Sequence, residues 1–91
     1  MQVKLYASLR QAAGTKMMDV ELGNATTIKE VLLELTRRYP VLDKFIWKEG
    51  GELSGQAHVF VNGENVNHLA RLETKISEAD HVDIFPPLVG G

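Results

Sequence analysis

The sequence has 91 residues, a formal net charge of −2 and no cysteine. A chain of this size is expected to form a single domain, residues 1–91, and its charge gives none of the basic excess that nucleic-acid binding requires. The missing cysteines exclude disulfides, thiolate metal sites and a cysteine nucleophile. No stretch approaches the ~20 apolar residues of a membrane span, and Met1 runs into a strand pattern without a signal peptide. We therefore expect a cytoplasmic protein that does not associate with membranes.

The first segment reads as two strands. Apolar and polar residues alternate from Val3 to Ser8, which indicates a strand covered on one face. Residues 9–13 are predicted to form a short turn that Gly14 closes. The alternation resumes from Lys16 to Leu22 and predicts a second strand, antiparallel to the first.

A helix follows, and its signals are the strongest in the sequence. Thr27 and Glu30 have the spacing of a capping box, with Thr27 as N-cap. Glu34 and Arg38 are placed to form an ion pair on the exposed side, and Pro40 requires the helix to stop by Tyr39. The apolar residues of the helix fall on one stripe: Ile28, Val31, Leu32, Leu35 and Tyr39.

The remaining elements are shorter. Residues 41–49 have a brief helical pattern that Gly50-Gly51 ends. Residues 57–61 and 64–66 read as two strands joined by the hairpin turn Asn62-Gly63. Residues 69–76 are predicted to be irregular, with a turn and a short strand, and His81 to Phe85 is the last strand.

One good helix between strand pairs predicts an α+β fold, a ubiquitin-like β-grasp with the helix across one face of a mixed sheet of four to five strands. The residues expected to face the helix are Val3, Leu5, Val20, Val59, Val61, Val82 and Ile84. The pleat then places Tyr6, Phe60 and Phe85 on the opposite face, where three aromatic side chains favour a partner-binding surface. The alternative is that the Phe45–Trp47 segment folds over this face and covers it.

The end of the sequence has an unusual composition. Pro86 and Pro87 cannot continue a sheet ladder, so residues 87–91 are predicted to form an extended tail that reaches ~15 Å beyond the last strand. Gly90 and Gly91 lack Cβ atoms, which lets a backbone enter a narrow site on another protein. A chance Gly-Gly ending is the alternative explanation. The three histidines have no metal-ligand spacing, so we predict no metal site. Glu30 and Glu34 fit a helix cap and an exposed face better than a catalytic pair, and no Ser-His-Asp spacing stands out, so we predict no independent catalysis.

These segments resemble the MoaD/ThiS family of ubiquitin-like sulfur carriers. The resemblance rests on the opening run from Val3 to Gly14, on Thr27-Ile28, on residues 61–64 and above all on residues 83–91. Phe-Pro-Pro-x-x-Gly-Gly at the end is most like the branch formed by the small subunit of molybdopterin synthase. One departure is Ala79-Asp80, where the family often has Gly-Asp.

The resemblance implies that this chain is a carrier and that catalysis belongs to its partners. Gly91, with Gly90 beside it, would be converted by an ATP-dependent adenylyltransferase of the ubiquitin-activating type to an acyl-adenylate, and then by a sulfur donor to a thiocarboxylate. No tightly bound cofactor is expected. The tail would enter the large subunit of molybdopterin synthase and give its sulfur to the pterin precursor of the molybdenum or tungsten cofactor. The residues expected to contact partners are Tyr6, Arg10, Phe60, Phe85, Pro86, Pro87, Leu88 and Val89.

Two other functions use the same tail and stay open. One is a ubiquitin-like modifier that joins Gly91 to lysine side chains, and the other is sulfur delivery to tRNA or thiamine. A third interpretation is a plain binding module in which the two glycines have no chemical role.

Overall fold

The computed structural model describes residues 1–23 and 27–87. Within these two segments, five strands form one mixed sheet in the order β2-β1-β5-β3-β4. Strands β1 and β5 are parallel neighbours and every other neighbouring pair is antiparallel. The strands are β1 Gln2–Leu5, β2 Met17–Asp19, β3 His58–Val61, β4 Glu64–Asn65 and β5 His81–Phe85. This is the ubiquitin-like β-grasp predicted from the sequence.

Three α-helices are present in the described residues: α1 Ala7–Ala13, α2 Ile28–Arg38 and α3 Asp43–Ile46. Helix α2 has the predicted boundaries. Its first turn is capped by Thr27, whose side chain accepts a hydrogen bond from the N–H of Glu30, and it stops one residue before Tyr39. Glu34 pairs with Arg38 at 3.0 Å as predicted, and also with Arg37 at 2.6 Å.

The core lies between the sheet and helix α2. All seven residues predicted to face the helix are buried, and so is the apolar stripe of the helix, except that Tyr39 at its end is half-buried. Two buried residues close one side of this core: Leu42, which ends the short 3-10 turn Pro40–Leu42, and Ile46, which ends helix α3. The sheet therefore has one covered face and one open face.

The predicted turn at residues 9–13 was wrong, because this segment is helix α1. The helix begins at Ala7, so the first strand ends at Leu5 and not at Ser8 as the alternation indicated. Ala7 has a φ of 51°, a left-handed conformation that turns the chain sharply from strand into helix. Leu9 is the one fully buried residue of the helix, which gave too little periodicity for a sequence-based prediction.

Two further strand predictions were too long or misplaced. Strand β2 covers three residues of the predicted seven, although Val20 still donates its N–H to the carbonyl of Met1 at 2.9 Å. Between residues 69 and 76 the chain forms the 3-10 turn Arg71–Glu73, and Lys75 makes an isolated bridge to Thr27 instead of a strand.

Candidate functional site

An open groove of about 1050 Å³ lies on the open face of the sheet, beside the end of β5. Its floor comes from strands β3 and β5, and one wall comes from the junction between β1 and α1. The lining residues are Tyr6, Ala7, Ser8, His58, Phe60, Gly63, Asp83, Phe85, Pro86 and Pro87. The groove therefore lies at the point where the chain leaves the sheet and enters the predicted tail.

Three aromatic rings form the apolar part of the groove. Tyr6 stacks on Phe85 with ring centroids 4.2 Å apart and an interplanar angle of 10°. Phe60 meets Phe85 edge to face, with centroids 5.4 Å apart. All three side chains are half-buried, so they remain available to a partner while holding one another in place.

Backbone hydrogen bonds fix Tyr6 above β5. Its N–H donates to the carbonyl of Ile84 at 3.2 Å, which extends the parallel pairing by one residue. Its carbonyl accepts hydrogen bonds from the N–H groups of Leu9 and Arg10 at the start of helix α1. The strand-to-helix turn thus locates the Tyr6 ring on Phe85.

Asp83 lies at the centre of the open face, between Lys4 of β1 and Phe60 of β3 in the strand register. The Tyr6 hydroxyl donates a hydrogen bond to its Oδ1 at 2.9 Å. That hydrogen bond to the carboxylate, together with burial, raises the pKa of Tyr6 above its ordinary value. The phenol therefore stays protonated and continues to donate at neutral pH.

A second, polar cleft of about 520 Å³ adjoins the groove and shares Tyr6, Gly63 and Asp83 with it. Its other lining residues are Gln2, Lys4, Asn62, His81 and Val82. The open face of the sheet is therefore divided into an aromatic part near the tail and a polar part near the hairpin turn, with Asp83 on the boundary.

The hairpin turn is tied to the start of β5. Asn62 and Gly63 both have positive φ, 52° and 85°, as the two central residues of a type I′ turn require. The Asn62 side chain donates to Asp80 at 2.9 Å and accepts from the N–H of His81 at 2.9 Å. Asp80 also accepts from the N–H of Ser77 at 2.7 Å, and these bonds lower the pKa of its carboxyl.

The same network explains the departure at Ala79-Asp80. The N–H of Asp80 donates to the carbonyl of Ser77 at 3.0 Å, so the turn closes through ordinary backbone conformations. Ala79 is not among the non-glycine residues with positive φ in the described chain. The hydrogen bonds that the Asp80 carboxylate accepts and its N–H donates therefore hold the turn without glycine.

Five residues predicted to contact a partner come together in the groove: Tyr6, Phe60, Phe85, Pro86 and Pro87. Arg10 is exposed on α1 and is not among the lining residues, so its part in partner binding stays a prediction. Leu88, Val89, Gly90 and Gly91 lie outside the described residues.

The alternative in which Phe45–Trp47 covers the aromatic face was wrong. Neither residue lines the groove, and both pack against the core. The indole N–H of Trp47 donates to the Thr36 hydroxyl on helix α2 at 3.2 Å, on the covered side of the sheet.

Sequence reasoning did not single out His58 and Asp83 as groove residues. Both alternate with buried residues, His58 before Val59 and Asp83 between Val82 and Ile84. The strand period therefore placed them on the same face as Phe60 and Phe85, and that signal was present in the sequence.

Within residues 1–23 and 27–87, no cluster of three or more histidine, aspartate or glutamate side chains has the arrangement of a metal site. No helix in this part of the chain has the length and apolar character needed to cross a membrane. The cytoplasmic location stays a prediction.

A family model described as the ThiS family matches residues 3–91. The chain belongs to the ThiS family. The groove therefore lies on a chain from a family of ubiquitin-like sulfur carriers, as the sequence resemblance implied.

Two archaeal proteins are similar to this ThiS-family chain along nearly its whole length. Small archaeal modifier protein 1 of Haloferax volcanii is 31% identical over 91 residues and is matched along 100% of both chains. A protein of Archaeoglobus fulgidus, provisionally named a sulfur carrier protein, is 36% identical over 90 residues, which are 99% of this chain and 97% of the relative.

Solved structures agree with the fold. The small archaeal modifier protein 1 of Methanosarcina acetivorans superposes with a TM-score of 0.86 at 38% identity, covering 99% of this chain and 94% of the other. The BexX/CysO complex of Amycolatopsis orientalis contains a chain with a TM-score of 0.84 at 25% identity, covering 99% and 98%. That second structure is of a complex between two proteins, BexX and CysO.

Proposed function

We propose that this ThiS-family protein is a carrier whose Gly91 carboxylate is activated by a partner enzyme. The activated acyl group of Gly91 is then joined to another molecule, or is converted to a thiocarboxylate by a sulfur donor. The observation that carries the proposal is the aromatic groove at Pro86 and Pro87, directly before residues 88–91. A partner docked on Tyr6, Phe60 and Phe85 has its surface next to the residue from which the tail departs. Docking and delivery of the terminus are thereby coupled.

The activation chemistry has to come from the partner. An α-carboxylate has an ordinary pKa of about 3.5, so it is ionised at neutral pH and is a poor electrophile. Attack of the Gly91 carboxylate on the α-phosphorus of ATP would release pyrophosphate and give the acyl-adenylate. The sequence has no Gly-x-x-x-x-Gly-Lys-Ser/Thr loop to bind the phosphates, which supports a separate adenylyltransferase of the ubiquitin-activating type.

Two acceptors for the activated glycine have separate support. Modifier proteins from Haloferax volcanii that are 30% and 31% identical along the whole chain favour transfer to a lysine, whose Nζ attacks the acyl carbon and expels AMP. The Phe-Pro-Pro-x-x-Gly-Gly ending and the Archaeoglobus fulgidus relative favour a sulfur donor, which expels AMP in the same way and leaves a Gly91 thiocarboxylate.

In the sulfur branch we propose that the thiocarboxylate enters the large subunit of molybdopterin synthase and donates its sulfur to the pterin precursor. The resemblance of the tail to the small-subunit branch supports this destination over tRNA or thiamine. Each transfer regenerates the Gly91 carboxylate, so the protein acts as a co-substrate and the partner supplies the catalytic groups.

The two branches are distinguished in cells that express a tagged protein. Conjugation predicts slower-migrating adducts on a denaturing gel, containing peptides in which the Gly91 carboxyl is joined to a lysine Nζ. Sulfur transfer predicts that deletion of the gene removes molybdopterin and that the wild-type protein restores it, whereas a variant lacking Gly91 does not. The absence of both effects would contradict the proposed function.

A further inference from the structure

The groove contains one feature that docking of a purely apolar partner does not explain. Among the described residues that line it, Asp83 is the only formally charged one, and it is half-buried beside Tyr6, its hydrogen-bond donor, and Phe60, its neighbour in the strand register. Burial of a carboxylate is unfavourable unless it is paired or hydrogen-bonded. An apolar partner surface laid over this groove would remove the remaining water from Asp83 and weaken its own binding.

Asp83 has capacity for a further hydrogen bond. The Tyr6 hydroxyl uses Oδ1, and no hydrogen bond from a described residue reaches Oδ2. Lys4, its register neighbour on β1, is exposed and forms no ion pair with any described residue. The carboxylate thus offers a free acceptor atom at the edge of the aromatic rings.

An arginine is the side chain that matches these features. Its planar guanidinium stacks on aromatic rings, pairs with carboxylates and is less strongly hydrated than the ammonium of lysine. The three rings are only half-buried and so keep exposed surface in the groove, and the carboxylate lies in the same groove. One guanidinium is therefore able to contact an aromatic ring and Oδ2 of Asp83 together.

We propose that the groove recognises a partner protein through an arginine flanked by apolar residues, with the guanidinium against the aromatic rings and in an ion pair with Asp83. The inference rests on the proposed function only in using the groove as the docking face. It adds the chemistry of the partner: a basic and apolar segment, selected by one carboxylate. Lys4 then competes with the partner arginine for Asp83.

The test uses displayed random peptides of twelve residues, selected on the wild-type protein. We expect enrichment of peptides in which arginine lies beside an aromatic or aliphatic residue. A synthetic peptide from this set and its citrulline counterpart, which is neutral and of nearly the same shape, are then compared by calorimetry. The arginine peptide should bind the wild type about tenfold more tightly than the citrulline peptide.

Two variants complete the test. In Asp83→Asn the amide oxygen still accepts from Tyr6, so the fold is retained, and the preference for arginine over citrulline should disappear. Lys4→Met removes the competing cation and should leave the affinity unchanged or raise it. Thermal unfolding of both variants checks that the fold is intact.

The proposal is overturned if the selected peptides are acidic or lack basic residues, if no peptide is enriched, or if the citrulline peptide binds the wild type equally well. Weaker binding by Lys4→Met would likewise overturn it, because it would assign the charge contact to a carboxylate of the partner. None of these measurements involves Gly91. A failure here is therefore distinct from a failure of the carrier chemistry, which is tested by mass.

Discussion

Phe85 connects the other two aromatic residues of the groove, and its replacement by alanine should show how far the cluster is preorganised. The substitution removes the stack on Tyr6 at 4.2 Å and the edge contact with Phe60 at 5.4 Å. Each such pair contributes about 0.5–1.5 kcal/mol beyond burial. Loss of a fully buried phenylalanine costs about 3–5 kcal/mol, and Phe85 is half-buried, so we expect Phe85→Ala to lower the free energy of unfolding by about 2–3 kcal/mol.

The matched controls are Phe60→Ala and Tyr6→Phe. Phe60→Ala also removes a half-buried ring but loses one ring contact where Phe85→Ala loses two, so it should cost about 1 kcal/mol less than Phe85→Ala. Tyr6→Phe keeps the stack and loses the hydrogen bond to Asp83, so it should cost about 1 kcal/mol. Urea denaturation gives the free energies, and the thermal midpoint of Phe85→Ala should fall by roughly 8–24 °C. If Phe85→Ala costs no more than Phe60→Ala, the three rings do not form a cluster centred on Phe85 and the reasoning is refuted.

Three further predictions concern the elements around the groove. Ala7 has a φ of 51°, so Ala7→Gly should stabilise the protein by roughly 0.5–1 kcal/mol. Ala12→Gly, inside the same helix, should instead destabilise it by a similar amount. Equal effects of both substitutions on urea unfolding would contradict the strain at residue 7. Asn62→Ala should lower the free energy of unfolding by roughly 1 kcal/mol more than Asn62→Gly does, because both variants lose the hydrogen bond to Asp80 but only alanine is strained at a φ of 52°. Equal unfolding midpoints of the two variants would refute this. The pKa of Glu34 is lowered to about 2, chiefly by the hydrogen bonds it accepts from arginine, so the stability it contributes is present above pH 4.5 and lost as pH falls towards 2. The free energy of unfolding of Glu34→Gln should therefore differ from that of the wild type at pH 6 and converge with it near pH 2. A difference that persists in acid would argue against the ion pair.

The sequence predicted those elements whose signals are local. Helix α2 has a cap at Thr27, a stop at Pro40 and an uninterrupted apolar stripe, and its boundaries agree with the structure. The hairpin at Asn62-Gly63 was equally clear, because few residue pairs adopt positive φ twice in succession. Strand alternation also assigned the two faces of the sheet correctly.

The errors occurred where tertiary structure overrides local preference. Helix α1 begins at an alanine in a left-handed conformation, and nothing in residues 7–13 indicates that start. The conformation is imposed by the pairing of Tyr6 with β5, which involves residues more than seventy positions apart. Asp83 was overlooked for a different reason: its importance depends on the rings around it, and those are brought together by the parallel register of β1 and β5 and the antiparallel register of β3 and β5.

The most direct test of the carrier function is the intact mass of the purified protein after incubation with ATP, the adenylyltransferase and sulfide. We predict that the wild-type protein gains the mass expected when one oxygen at the carboxyl terminus is replaced by sulfur. A variant lacking Gly91 should show no mass increase and should have the same thermal stability as the wild type. An unchanged mass with an adenylyltransferase proven active on another carrier would contradict the account. So would the same mass increase in the variant without Gly91, because the sulfur would then be attached elsewhere.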